Sequence, residues 1–462
     1  MHVSTMLRAL RSCLPQFAVR TVAPTVAVAL LLAACNPSEV LQVTDPDIIN
    51  PSDLASSAGA DAARVGALAR FNSATSGAES MIQLGGLLSD EFNNGDSYID
   101  RQQIDQRLTT RENGFLLSAD RVHHRALLSA EQAITLLREF SPQAPGWQIG
   151  EMYLVKAYLE NLAAETFCSG YVISRVVDGA EVYGSPMTSI ALYALALAHA
   201  DSGLALATGT TKDDLRVKYG LMVTKGRVLM NQNRAAAAAT AVAAVPTTFQ
   251  YLEYHAITTN SNTYWSLNNL AGRYSVSTVE GVNGLNYATA SDPRIPTCQG
   301  NDAVCKLIGA TKSTRDDLTL PFWVQRIWPA RESSFPVMSG QEARLVEAEA
   351  QLAAGNTAGS LATLNALRAT FTGLAPLTDA GTTAARVDQL FRERAFTLFG
   401  RGTRVGEMRR LIRQYGRGAE AVFPTGAWHK GGNYGADVNF PIPFSETNNP
   451  QTGAGVCIDR NP

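Results

Sequence analysis

The thiols carry the clearest chemical possibilities in this chain. Cys35 closes the run Leu32-Ala33-Ala34-Cys35, in which small residues precede a lone cysteine. Small side chains there suit a peptidase groove, and a thiol is a good nucleophile for lipid transfer, so the run looks like a bacterial lipobox. Past it stand Cys168, Cys298, Cys305 and Cys457. Four thiols in an exported protein form two disulfides in one of three pairings. Cys298 and Cys305 lie close together in CQGNDAVC, so a bridge closing that small loop is expected. Zinc is the rival use of such a pair, but no histidine stands at ligand spacing nearby. Whether Cys168 pairs with Cys457 stays open.

Catalytic groupings are harder to find. No H-E-x-x-H, G-x-S-x-G or C-x-x-C is present. GATKST (Gly309 to Thr314) lacks the glycine before the lysine, without which backbone amides cannot cradle a phosphate. GRGTRVG has glycines but follows no strand, which argues against a dinucleotide fold. His123 and His124 are adjacent on a helix, face different directions, and are expected at the surface. Asp90 and Glu91 could do acid–base work, but any two acids can be nominated so, and a solvated loop is the simpler reading. The chain is read as a non-enzyme, with no cofactor and no metal expected.

The flanks of Cys35 bound the rest. Residues 1–34 hold Arg8, Arg11 and Arg20, no acid, and an apolar run from Val26 to Ala34. This is the layout of a secretory signal, and the run is shorter than the roughly 20 apolar residues that a membrane span needs. Residues 35–51 are polar and turn-rich, a tether behind a lipid anchor; each buried CH₂ of an acyl chain contributes about 0.8 kcal/mol. Removing 34 of the 462 residues leaves 428, and with the three arginines gone the net charge moves from −2 to about −5. No basic patch appears, which argues against nucleic acid. A length above about 250–300 residues implies two domains or an elongated repeat.

The elements that must position any site read as mainly α. NPSDL opens a helix with Ser52 or Asp53 as its cap. SADRVHHRALLSAEQAITLLREF and GWQIGEMYLVKAYLENLAAETF are amphipathic. YGLMVTKGRVLMNQNRAAAAATAVAAVP and EARLVEAEAQLAAGNTAGSLATLNALRATF each read as helix, turn, helix. Gly226, Ala239, Ala348 and Ala358 fall where two helices must approach closely. Such hairpins resemble the tetratricopeptide repeat, and 148–166 with 188–206 form another expected pair. From about 247 to 336 helical periodicity disappears, and long structured loops in a compact domain are usually functional.

Three C-terminal segments, taken with the lipobox, resemble the SusD/RagB family of outer-membrane nutrient-binding lipoproteins. They are FPVMSGQEARLVEAEAQL, FRERAFTLFGRGTRVGEMRRL and VNFPIPFSETNNP, in the family's order; SDPR and LLSDEF also have counterparts. Arg401, Glu407 and the Ser339-Gly340 pair depart from the family pattern, which questions local ion pairs. The resemblance implies a SusD-like α-α superhelix over 52–462, built of tetratricopeptide-like hairpins with long irregular loops and little β-structure. It also implies a surface lid that captures glycans or other nutrients over a SusC-like TonB-dependent outer-membrane barrel. In the second segment Phe391, Ala395, Leu398 and Phe399 form one helix face, Gly400 and Gly402 end the helix, and Glu393 with Arg404 is the expected ion pair.

A binding platform of that kind needs rings to stack on sugar faces and polar groups to read hydroxyls. The irregular regions supply Asp96 with Tyr98, then Tyr264, Trp265 and Tyr274, and Trp323. Trp265, between NTY and SLNN, is expected exposed. Burial is the expectation for Trp328 and also for Trp323, which stays a candidate. The alternative reading is a periplasmic repeat scaffold that binds only proteins. That reading leaves the aromatic loops and the Pro-Ile-Pro ending unexplained.

Overall fold

The computed structural model describes residues 54–177, 180–319, 321–453 and 456–462. The expected leader, the tether with Cys35, and the caps Ser52 and Asp53 lie outside the described residues. The first described helix is capped by Ser56, whose hydroxyl accepts from the Gly59 N–H.

Among the described residues there are fourteen α-helices. The N-terminal set is α1 (Ser57–Ser76), α2 (Met81–Leu88), α3 (Ile99–Asp105), α4 (Gly114–Phe140), α5 (Gly146–Thr166), α6 (Ser189–Leu206), α7 (Lys212–Asn231) and α8 (Ala235–Val242). After a short α9 (Ala303–Lys306) come α10 (Gly340–Ala353), α11 (Thr357–Arg368), α12 (Thr383–Thr397), α13 (Arg404–Tyr415) and α14 (Ala419–Val422). Strands are few and short, and pair only in twos, all antiparallel. β1 (Phe92–Asn94) pairs with β5 (Tyr274–Val276) and β2 (Arg175–Val177) with β3 (Ala180–Val182). β4 (Gln250–Glu253) pairs with β8 (Phe335–Ser339) and β6 (Thr297–Gln299) with β7 (Trp323–Gln325).

The helical hairpins follow from small residues at contact positions. On α4 the buried stripe runs Ala119, His123, Ala126, Ala130, Ala133, alternating steps of four and three, so α1 and α5 can both pack close to it. Gly226 on α7 meets α8: a Cβ there would lie 2.4 Å from Val242 Cγ1. The α7–α8, α10–α11 and α5–α6 pairs are the expected hairpins. His123 departs from expectation, since the stripe carries it fully inside while His124 stays partly exposed. Two disulfides are formed. Cys298–Cys305 closes the short loop, and Cys168–Cys457 ties the C-terminal segment to the end of α5.

Buried ion pairs, together with apolar contacts such as Phe92 on Phe399, join the C-terminal helices to the rest. Arg404 takes Asp90 in a two-pronged contact, Nε to Oδ1 at 2.7 Å and Nη2 to Oδ2 at 2.8 Å. Glu393 receives Arg294 and Arg368, each at 2.6 Å, while Glu349 faces Arg410 and Arg394. The expected Glu393–Arg404 pair is therefore corrected. Gly400 and Gly402, both at positive φ, turn the chain so that α13 starts towards the α2–β1 turn while Glu393 looks to the loop of Asp292 and Arg294. Asp90 and Glu91 are likewise not a solvated loop but fully buried.

Two buried acids make stability depend on pH. Burial, opposed by the Gly400 N–H and reinforced by Asp90, pushes Glu91 up to about 8 from 4.5. Burial, opposed by the Thr75 hydroxyl, pushes Glu253 up to about 8 from 4.5. One oxygen of each has no hydrogen-bond partner, so ionisation leaves charge uncompensated. The folded chain keeps these protons where the unfolded chain releases them, so their contribution is full below about 4.5 and is lost as pH rises towards 8. Thermal unfolding should show Glu91→Gln and Glu253→Gln gaining on the wild type as pH rises from 4.5 to about 8. A pH profile that the two substitutions leave unchanged would contradict this.

Candidate functional site

Three of the expected site residues converge on one guanidinium. Arg101, on α3, is buried and pairs with Asp96 and Glu79. Its position is set by the β1–α3 turn, where Asp96 Oδ1 accepts the Tyr98 N–H at 2.9 Å. Tyr274, on β5, donates its hydroxyl to Glu79 Oε2 at 2.8 Å. Burial is the strongest single influence and works against the Arg101 charge, but Glu79, Tyr274 and Asp96 together outweigh it and hold the guanidinium above its ordinary range. Asp96 and Tyr274 are thus committed inside the protein and present no free group.

Tyr98 is different: it is 53% exposed. Its ring meets Phe115 of α4 edge-on at 6.0 Å, with the Arg101 and Arg273 guanidinium carbons 5.3 and 5.6 Å from its centroid. A half-exposed ring held by neighbours loses little freedom when a sugar face stacks on it. The nearby Arg273 guanidinium offers donors to ring substituents.

An open groove of about 420 Å³ is lined by Ser73, Asn260, Ser261, Thr263 and Ser266, with Gly77, Ala78, Val122 and Leu267 among its apolar members. The next residue after Ala78 is Glu79, so one wall of the groove runs into the Arg101 ion pair. The hydroxyl protons here are already used. Ser73 donates to Ala69 O, Ser261 to Ile257 O, Thr263 to Ser76 O and Ser266 to Asn262 O. A hydroxyl carries one proton and two lone pairs, so groups bonded in this way keep acceptor capacity. Such a wall suits a ligand rich in O–H donors.

The other expected residues sit elsewhere. Tyr264 is interior, stacked on Trp328 at 4.7 Å and donating its hydroxyl to Gly400 O. The exposure expected for Trp265 is corrected: it begins a short π-helix (Trp265–Leu270), is 8% exposed, and donates Nε1–H to Ile308 O at 2.8 Å. The segment around it turns its hydroxyls to the groove and its rings to the core. Trp323, on β7, is half-buried against the core, and its indole N–H has no acceptor. A further loop, 426–435, is fastened nearby through Trp428 to Asp105, Lys430 to Asn94 and Asp317, and Tyr434 to Glu280.

Sequence reasoning missed Arg101, Phe115, Arg273 and the groove. Only the Ser/Thr/Asn density of TTNSNTYWS signalled the last of these; nothing local distinguishes Arg101 or Phe115 from other helix residues.

Helical hairpins around short two-stranded sheets define the class, and solved structures identify the arrangement. The chain superposes on surface glycan-binding protein A from Bacteroides uniformis with a TM-score of 0.63 at 14% identity, covering 88% of this chain and 99% of that one. A SusD superfamily protein from Parabacteroides distasonis gives 0.61 at 14% identity, over 85% of this chain and 98% of that one. A SusD-like carbohydrate binding protein from Bacteroides vulgatus gives 0.55 at 12% identity, over 76% and 83%. No family model and no curated protein matches the sequence. The protein has the SusD-like fold.

Proposed function

We propose that this chain is a surface lipoprotein of the outer membrane, acylated at Cys35, that binds glycans and delivers them to a SusC-like TonB-dependent barrel. The observation that carries the reading is the groove whose hydroxyls keep acceptor capacity; the exposed Tyr98 ring, with the Arg273 guanidinium next to it, is a second surface of the same chemistry. Hydroxyl acceptors and an exposed ring suit a polyol with apolar faces. The SusD-like fold supports it, since one structure of similar fold is a surface glycan-binding protein. Glycan-array screening followed by affinity purification of the native lipoprotein tests both halves. Glycan capture with a co-purifying outer-membrane barrel is the expected result. A soluble periplasmic protein as the sole partner would favour the scaffold reading instead.

Tyr98→Ala should weaken the glycan found on the array about tenfold, which corresponds to about 1.4 kcal/mol, with no change in melting temperature. Its ring is 53% exposed, so truncation opens no cavity. Calorimetric titration reads the affinity; an unchanged Kd would move the ligand away from this ring.

A further inference from the structure

We propose that Asp120, His124 and Glu446 bind a divalent transition-metal ion, for which zinc fits the donor set. Asp120 and His124 lie one helical turn apart on α4, a spacing that places both side chains on one face. His124 Nε2 is 3.4 Å from Asp120 Oδ1. The third group comes from far along the chain: Glu446 sits on the 3₁₀ turn Phe444–Asn448. One ligand atom from each residue lies within 4.8 Å of the other two. Zinc bonds of about 2.0–2.2 Å set tetrahedral ligands roughly 3.4 Å apart, so side-chain rotation closes the remaining gap.

Charge and support point the same way. A helix ion pair needs two groups, whereas here a second carboxylate is brought up to the first. A histidine must be neutral to ligate, and with it the two carboxylates would carry a charge of −2, which a divalent cation balances. The outer contacts are those of an oriented ligand set. Tyr171 donates its hydroxyl to Asp120 Oδ1 at 2.9 Å, and its ring stacks on the His124 imidazole, 5.1 Å between centroids and 7° from parallel. Asp120 is buried while the His124 side chain keeps 27% exposure, leaving a way in for the ion and for a water as fourth ligand. Bound metal would fasten the C-terminal turn to α4.

The test uses the untagged mature chain, stripped with chelator and dialysed against zinc, with metal content measured by elemental analysis. One ion per chain is expected, and cobalt in its place should give the visible absorption of a tetrahedral site. Glu446→Gln and His124→Ala should each weaken zinc by about tenfold or more, with circular dichroism unchanged. Tyr171→Phe, which keeps the ring and removes the hydroxyl, should weaken it by a smaller factor. Absence of zinc binding by the wild type overturns the proposal. So does binding that neither Glu446→Gln nor His124→Ala alters, which would place the ion on other histidines.

Discussion

Arg404→Met is expected to destabilise the fold by about 3–5 kcal/mol, because it strands a buried carboxylate. The Asp90 side chain is fully buried and the Arg404 side chain 7% exposed. Asp90 also accepts from the Leu285 N–H and the Tyr287 hydroxyl, but neither neutralises its charge. Glu91 stands next to it, also buried, so a second acid makes the unpaired charge costlier. Pairing Arg404→Met with Asp90→Asn removes both charges and should recover much of the loss, since the penalty lies in the orphaned ion more than in the missing bond. Urea unfolding of the two single variants and the double variant reads the coupling directly. An Arg404→Met protein of native stability that failed to bind glycan would reassign this arginine to the ligand.

Trp265→Ala is expected to cost about 3–5 kcal/mol of stability, as for a large core aromatic. The indole fills the space over Gly309, where a Cβ would lie 2.6 Å from the ring, and its N–H satisfies Ile308 O. Arg331 covers the ring at 5.1 Å from its centroid. The residue therefore clamps the loop that the Cys298–Cys305 bridge shapes, and truncation leaves a cavity with an unpaired carbonyl. Thermal unfolding measures the effect. If Trp265→Ala melted like the wild type and lost only glycan affinity, the ring would have to be a ligand contact.

Much of this architecture is legible along the chain. Helices betray themselves by a local period, and small residues such as Gly226 mark where two must touch, so the hairpins and the mainly α class follow from spacing alone. The short Cys298–Cys305 loop is legible for the same reason: its closure is local. The segments LLSDEF, SDPR, EAEAQ and FRERAFTLFGRGTRVGEMRRL also stand out in the sequence, but not their partners. In space they hold one another, Asp90 with Arg404, Arg294 with Glu393, and Glu349 with Arg410.

Period and composition determined by themselves that this protein is helical, hairpin-built and rich in polar aromatic loops. Which way those loops face was decided only by tertiary structure. Tyr98, Tyr264, Trp265 and Tyr274 have similar surroundings in sequence, yet one ring is exposed and three are buried. The difference is made by distant residues: Gly400 receives the Tyr264 hydroxyl, Gly309 leaves room for Trp265, and Glu79 takes Tyr274. Pairing of buried charge is decided likewise, because a carboxylate inside a protein takes whichever cation the fold brings to it. Asp120 and Glu446 met across the whole chain in the same way, and sequence spacing holds no trace of it.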